Sequence, residues 1–290
     1  MDHIRQAIER AKESNAAAPQ PHGLMASPLQ QPQIQTNPGG LGAQNTGARK
    51  VTLNGVHLES KRVIAHDVVD GRSKSFDMLR TQVLQTMDMK SWQLLGVTSP
   101  SAGCGKTMIS VNLALSIARQ PHRSVLLVDM DLQKPSVART LGIECEHGLV
   151  SVLEGRTRLQ DALVNAHIGH ENFLVLPCET STLKSSAWMA SQAMTTVLQE
   201  IKRDFRAWTI IIDLPPVLTS DDVITILPQI DCALFVASAG VSTLTEIREC
   251  NKHLQSTSIV RVVLNKAADS TMTYYSRYAN DAVAEMAPAR

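Results

Sequence analysis

The chain has 290 residues, of which 43% are apolar, 19% charged and 3% aromatic, enough to fill the core of one large domain or two small ones. Its 28 basic and 27 acidic side chains leave a net charge of +1, so no basic excess drives nucleic-acid binding and no polybasic patch forms for a membrane surface. No run of about 18 apolar residues exists for a membrane span, the N-terminus lacks the apolar stretch of a signal peptide, and the five cysteines (104, 145, 178, 232 and 250) are scattered, without disulfide or metal-ligand spacing. These features read as a soluble, cytoplasmic protein.

Residues 1–15 read as a short amphipathic helix. Ile4, Ala7, Ile8 and Ala11 fall on one stripe, and Arg5, Glu9, Arg10 and Lys12 lie on other faces. So short a helix is marginal alone in water, and its stripe needs either its own domain or a partner. Residues 16–48 hold five Pro, six Gln and five Gly with no Asp, Glu, Lys or Arg, a composition that builds no core and predicts a disordered linker. From residue 49 to 290 a single domain is expected. Continuous apolar runs predict strands near 93–98, 124–129, 173–177, 209–213, 232–237 and 259–264. Helical patterns at 106–119, 190–204 and 243–255 alternate with them. That order predicts an α/β fold, a mostly parallel sheet covered by helices on both faces.

Just after the first apolar run stands Ser99-Pro100-Ser101-Ala102-Gly103-Cys104-Gly105-Lys106-Thr107, followed by an apolar helix pattern opening at Met108. A strand, a small-residue loop, Gly-Lys-Thr and a helix is the context that a P-loop, and so ATP, requires. Gly103 and Gly105 let the backbone curl so that successive N–H groups face phosphate oxygens. The helix N-terminus adds partial positive charge. Lys106 reaches the outer phosphates, and the Thr107 hydroxyl serves Mg²⁺. Residues 103–108 are therefore the candidate nucleotide cradle. Pro100 stands where the strict pattern has its first glycine. Cys104, close to amides and a lysine, reads either as a thiol of lowered pKa or as a small space-filling residue.

Two further runs end in carboxylates: Val128-Asp129-Met130-Asp131 and Ile212-Asp213-Leu214-Pro215-Pro216. Ligands of open parallel sheets sit at the carboxyl ends of the strands. Asp129, Asp131 and Asp213 are thus expected to face the P-loop, and with Thr107 they supply the oxygen ligands that Mg²⁺ prefers. At the far end of the chain, Tyr274, Tyr275 and Tyr278 are its three tyrosines. Tyrosines ordinarily scatter through cores and interfaces. Gathered in a polar C-terminal segment, they read as a phosphoacceptor cluster, or else as a small aromatic patch that packs the segment down.

The series of motifs resembles the bacterial tyrosine kinase family, P-loop proteins of the MinD/ParA fold that act in exopolysaccharide and capsule assembly. The loop SPSAGCGKT is similar to that family's SPxPGEGKS/T. VLLVDMDLQKPSV resembles its apolar run ending in DxDxxxP, and IIIDLPPVLTSDD resembles its DxPP motif. HGLVSVLEG, IDCALFVASAG and VVLNKA resemble further segments in the same order, over roughly residues 75–278. The resemblance implies that Lys106 holds the β- and γ-phosphates and that Thr107 binds Mg²⁺. It implies that Asp129 activates the tyrosine hydroxyl or assists the metal, that Asp131 supports metal and tyrosine, and that Asp213 holds Mg²⁺ through water. For Asn265 it implies contact with the adenine edge, although a strand-end Asn is equally a cap. Clusters such as Tyr274, Tyr275 and Tyr278 are phosphorylated between subunits in that family, which implies a homo-oligomer. It also implies a partner, the cytoplasmic part of a membrane polysaccharide chain-length or export protein, that would bring the chain to the inner face of the membrane.

The family's ExxRxxR assembly motif falls on Lys74-Ser75-Phe76-Asp77-Met78-Leu79-Arg80, where Arg80 alone matches. Ser101 occupies the position of the lysine that MinD/ParA partitioning ATPases extend across their nucleotide-sandwich dimer. A protein tyrosine autokinase is the leading expectation. A MinD/ParA-like nucleotide switch and a scaffold without kinase activity are the alternatives.

Overall fold

The structure is a computed structural model and describes residues 47–267, apart from Val68 and Ser256. The N-terminal helix, nearly all of the expected linker and the three tyrosines lie outside the described residues.

Eight strands form one sheet: β1 (Arg49–Thr52), β2 (Leu94–Thr98), β3 (Val125–Asp129), β4 (Val164–Ile168), β5 (Glu171–Leu176), β6 (Thr209–Asp213), β7 (Cys232–Ser238) and β8 (Ser258–Asn265). Their order is β1-β4-β5-β3-β6-β2-β7-β8. Six run parallel, and β1 and β4 run together in the opposite direction, β4 pairing antiparallel with β5. The fold is the mostly parallel α/β sheet of P-loop proteins. All six predicted strands are present within a few residues.

Strands β2, β3 and β6 are buried along their whole length, which is why they read as unbroken apolar runs. Alternate residues serve opposite faces. Leu126, Val128, Ile210 and Ile212 pack into one core, and Leu95, Val97, Leu127 and Ile211 into the other.

The helices are α1 (Gly55–Ser60), α2 (Ser73–Lys90), α3 (Lys106–Ala118), α4 (Val137–Leu141), α5 (Leu149–Leu153), α6 (Leu159–Ala162), α7 (Ser185–Met189), α8 (Gln192–Asp204), α9 (Asp222–Ile226) and α10 (Leu244–His253). Helix α3 is buried on nearly every face, and each polar side chain it buries has partners. Asn112 accepts from the Ile64 and Ala65 N–H groups. Ser116 donates to Asp77 on α2 at 2.7 Å. Caps set the starts of α8 and α10: Ser191 accepts from the Met194 N–H, and Thr243 and Glu246 form a reciprocal capping box.

Among the described residues no helix is long and apolar enough to cross a membrane.

Candidate active site

The loop between β2 and α3 begins where the buried strand ends. Thr98 donates to the Pro215 carbonyl at 2.8 Å, and the Val217 N–H donates to the Ser99 carbonyl at 2.9 Å. The P-loop is thereby stitched to the Asp213-Leu214-Pro215-Pro216 turn after β6, its neighbour in the sheet. Gly103 and Gly105 adopt φ of +80° and +98°, a left-handed backbone that side chains disfavour. The space beside Gly103 is open. Gly105 caps α3, so the first N–H groups of that helix are free of intrahelical partners and available to an anion.

Tertiary structure then gathers the carboxylates. Strands β3 and β6 are parallel neighbours in which Asp129 and Asp213 stand directly opposite one another. Both are fully buried. Asp213 accepts from Thr107 Oγ1 at 2.6 Å and from Ser110 Oγ at 2.9 Å. Asp129 accepts from the Ser136 and Val137 N–H groups, each at 2.9 Å. Its other oxygen accepts from the Asp131 N–H at 3.3 Å. Asp131 stands 3.7 Å from the Lys106 ammonium, and both side chains are 9% exposed.

Burial, and then the facing Asp213 carboxylate, push the Asp129 pKa up. Burial pushes Asp213 up as well, against the opposing pull of Lys106, Thr107 and Ser110. Asp131 is raised by burial in spite of Lys106. Three closely grouped carboxylates thus share one buried ammonium. Among the described residues no three carboxylates are arranged to hold a metal by themselves, but the Thr107 hydroxyl bonded to Asp213 offers the kind of oxygen donors that a hard divalent cation such as Mg²⁺ takes beside phosphate oxygens and water. The residues present fit both a nucleotide polyphosphate and its metal.

A cleft of about 400 Å³ opens over the loop, lined by Gly103, Gly105, Lys106, Thr107, Met108 and Asp131 among others. Asp131 faces this cleft, whereas Asp129 and Asp213 lie behind it. Asn265, at the end of β8, donates to the Cys104 carbonyl at 2.8 Å, and its own oxygen accepts from the Lys266 N–H. It therefore braces the P-loop. Lys266 adds a second brace, donating to the Gly103 carbonyl at 2.8 Å. The buried Cys104 thiol lies 3.5 Å from Ser242 Oγ and 3.7 Å from Ser101 Oγ. Burial alone would raise its pKa, but the hydrogen bonds with Ser242, Ser101 and Ser99 outweigh it and hold the thiol below its ordinary value.

Of the predicted nucleotide and metal residues, Gly103, Gly105, Lys106, Thr107 and Met108 line the cleft with Asp131, Asp129, Asp213, Cys104 and Asn265 stand around it, and the three tyrosines lie outside the described residues. Sequence reasoning missed Ser110, Ser136, Lys134 and Arg139. Ser136 Oγ is 2.8 Å from Thr107 Oγ1, and Lys134 and Arg139 line the cleft. For Lys134 and Ser136 the signal was there in the run Gln133-Lys134-Pro135-Ser136, which starts four residues beyond Asp129.

The ExxRxxR-like segment is turned inward. Arg80 donates to Asp77 at 2.9 Å and to the Ser116 carbonyl and hydroxyl at 3.0 and 3.1 Å. Arg119 completes the knot 3.4 Å from Asp77.

Residues 93–259 match the AAA domain family. EpsB of Ralstonia nicotianae is 31% identical over 232 residues, covering 77% of this chain and 30% of that protein. The tyrosine-protein kinase CpsD of Streptococcus pneumoniae is 29% identical over 188 residues, covering 63% of this chain and 79% of CpsD. The chain spans about a third of the length of the first curated relatives it matches. The solved kinase domain of the Escherichia coli tyrosine kinase Etk superposes with a TM-score of 0.63 at 24% identity, covering 72% of this chain and 82% of that one. Etk shares the fold.

Proposed function

The chain belongs to the AAA domain family, and from that premise we propose that it is an ATP-dependent protein tyrosine kinase that phosphorylates its own C-terminal tyrosines. The observation that carries this reading is the cleft itself: Asp131 stands 3.7 Å from Lys106, with the Thr107–Asp213 pair and the buried Asp129 behind it. The names of CpsD and Etk support tyrosine as the acceptor. A role in exopolysaccharide or capsule synthesis or export rests on the resemblance of the motif series, as does activation by the cytoplasmic part of a membrane export protein.

In this reading the α3 N-terminus and Lys106 hold the β- and γ-phosphates. Thr107, Asp213 and Asp129 hold Mg²⁺, which when bound neutralises phosphate charge. The tyrosine oxygen attacks the γ-phosphorus in line, the bond from that phosphorus to the ADP oxygen breaks, and the phenolic proton passes to a carboxylate. Asp131 would take that proton, a role supported by its position on the cleft and its raised pKa. Asp129 fixes the Asp131 loop through the Asp131 and Ser136 N–H groups. The chain leaves β8 at Asn265, beside the P-loop, and continues towards Tyr274, Tyr275 and Tyr278. Those tyrosines would be offered to a neighbouring copy.

The test mixes Lys106→Ala protein that keeps its tyrosines with active protein that lacks all three, in labelled ATP and Mg²⁺. Label on Tyr274, Tyr275 or Tyr278 of the inactive partner is the expected result. ATP binding without tyrosine labelling, with the activating membrane protein supplied, would favour the nucleotide-switch reading.

A further inference from the structure

A second cleft, of about 710 Å³, adjoins the nucleotide cleft, and Gln133, Lys134 and Arg139 form the wall common to both. Lys134 is held at the turn after Asp131, its N–H donating to the Asp131 carboxylate at 3.0 Å. Arg139 sits on α4, where its carbonyl is hydrogen-bonded to the His57 ring at 3.1 Å. Their backbones are anchored, while both side chains are exposed. Among the described residues neither charged head has a hydrogen bond or an ion pair.

The carboxylates of the second cleft are differently placed. Glu179 is already satisfied by the Ser151 N–H and hydroxyl, the Val150 N–H and Arg156. Glu144 lines the second cleft and also borders a neighbouring depression. Two exposed cations, Arg139 and a Lys134 that lies within electrostatic reach of Asp131, therefore stand where a ligand passes from the second cleft towards Asp131.

We propose that the second cleft is the acceptor-docking groove and that Lys134 and Arg139 select polypeptide segments with anionic side chains beside the tyrosine. This rests on the kinase reading for its purpose and concerns acceptor segments other than Tyr274-Tyr275-Ser276-Arg277-Tyr278, which carries a cation and no carboxylate. An acceptor entering a cleft that already holds three carboxylates and a polyphosphate meets like charge, and an anionic one more so. Cations at the junction offset that repulsion and fix the direction of entry. Lys134 and Arg139 are specificity-determining residues in this scheme, distinct from Lys106, whose ammonium is shared with Asp131.

Docking is measured without phosphotransfer, by fluorescence anisotropy on the full chain loaded with Mg-ADP. One labelled peptide carries a tyrosine flanked by glutamates, and the other carries lysines in their place. The wild type should prefer the acidic peptide by about tenfold, the size expected of two partly screened charge contacts. The preference should fade as salt approaches about 1 M. In the Lys134→Glu/Arg139→Glu chain, shown to be folded by its thermal transition, the order of the two peptides should invert. Loss of both peptides to the same degree would mark a merely structural role and overturn the proposal. An unaltered preference, or no binding of the acidic peptide to the wild type, would overturn it as well. Intact charge-selective docking in a protein that never labels tyrosine would count against the kinase reading alone.

Discussion

Gly105→Ala tests the way β8 braces the P-loop. Gly105 sits at φ +98°, and a Cβ built there would lie 2.2 Å from the Asn265 amide nitrogen and 3.5 Å from its Cγ. The left-handed backbone costs an alanine about 1–2 kcal/mol. The Asn265 side chain must also move, breaking its 2.8 Å bond to the Cys104 carbonyl, which adds about 1 kcal/mol. A loss of about 2–3 kcal/mol follows, and at about 2–4 °C per kcal/mol for a domain of this size the midpoint should fall by roughly 4–12 °C. Asn265→Ala alone removes the bond without the strain and should cost about 1 kcal/mol. The double variant should be no less stable than Gly105→Ala, because the alanine at 105 has already evicted the amide, so the cycle should show about 1 kcal/mol of non-additivity. Thermal unfolding of the four proteins in the absence of nucleotide measures this. A fully additive cycle, or a Gly105→Ala protein that melts with the wild type, would refute the bracing geometry.

The buried carboxylates make stability depend on pH in a definite direction. Because Asp129 and Asp213 are raised in the folded state, the folded protein holds protons that the unfolded chain releases above about pH 4, so this contribution is greatest in acid and is lost as pH rises. The nucleotide-free midpoint should fall between pH 5 and 8. Asp129→Asn should flatten that fall and raise the midpoint at pH 8, and a slope the variant leaves untouched would contradict the assignment. Lys106→Ala deletes the cation opposite the phosphates and should weaken ADP binding by about 100-fold, read by calorimetry. Chelation of Mg²⁺ should weaken ADP binding to the wild type and do much less in an Asp213→Asn protein. Arg80→Ala should cost about 2 kcal/mol in thermal unfolding, since it strips Asp77 and Ser116 of a largely buried partner; an unchanged midpoint would instead point to an assembly role for Arg80.

The P-loop, six of the eight strands and the three strand-end carboxylates were legible in the sequence because each is a local property. A strand buried on both faces must be apolar throughout, and Val125–Asp129 and Thr209–Asp213 announce both their burial and the carboxylate that ends it. Strands β1 and β4 escaped notice for the same reason in reverse. Arg49-Lys50-Val51-Thr52 is exposed for most of its length, and Val164-Asn165-Ala166-His167-Ile168 carries polar residues in a strand buried only in part, so neither leaves an apolar run. What tertiary structure decided was adjacency. Strand order is a long-range matter in which β6 inserts between β3 and β2, and only that insertion sets Asp129 opposite Asp213 and Asp213 beside Thr107. Asp77 and Arg80 show in the sequence only as a poor match to ExxRxxR until α2 packs on α3 and turns them towards Ser116 and Arg119. Asn265, 161 residues from Cys104, becomes a support of the P-loop only because β8 lies one strand beyond β7. Lys134 and Arg139 acquire their place between two clefts from the turn that Asp129 and Asp131 hold, because a hydrophobic pattern records whether a residue is buried and not which neighbour the folded chain brings to it.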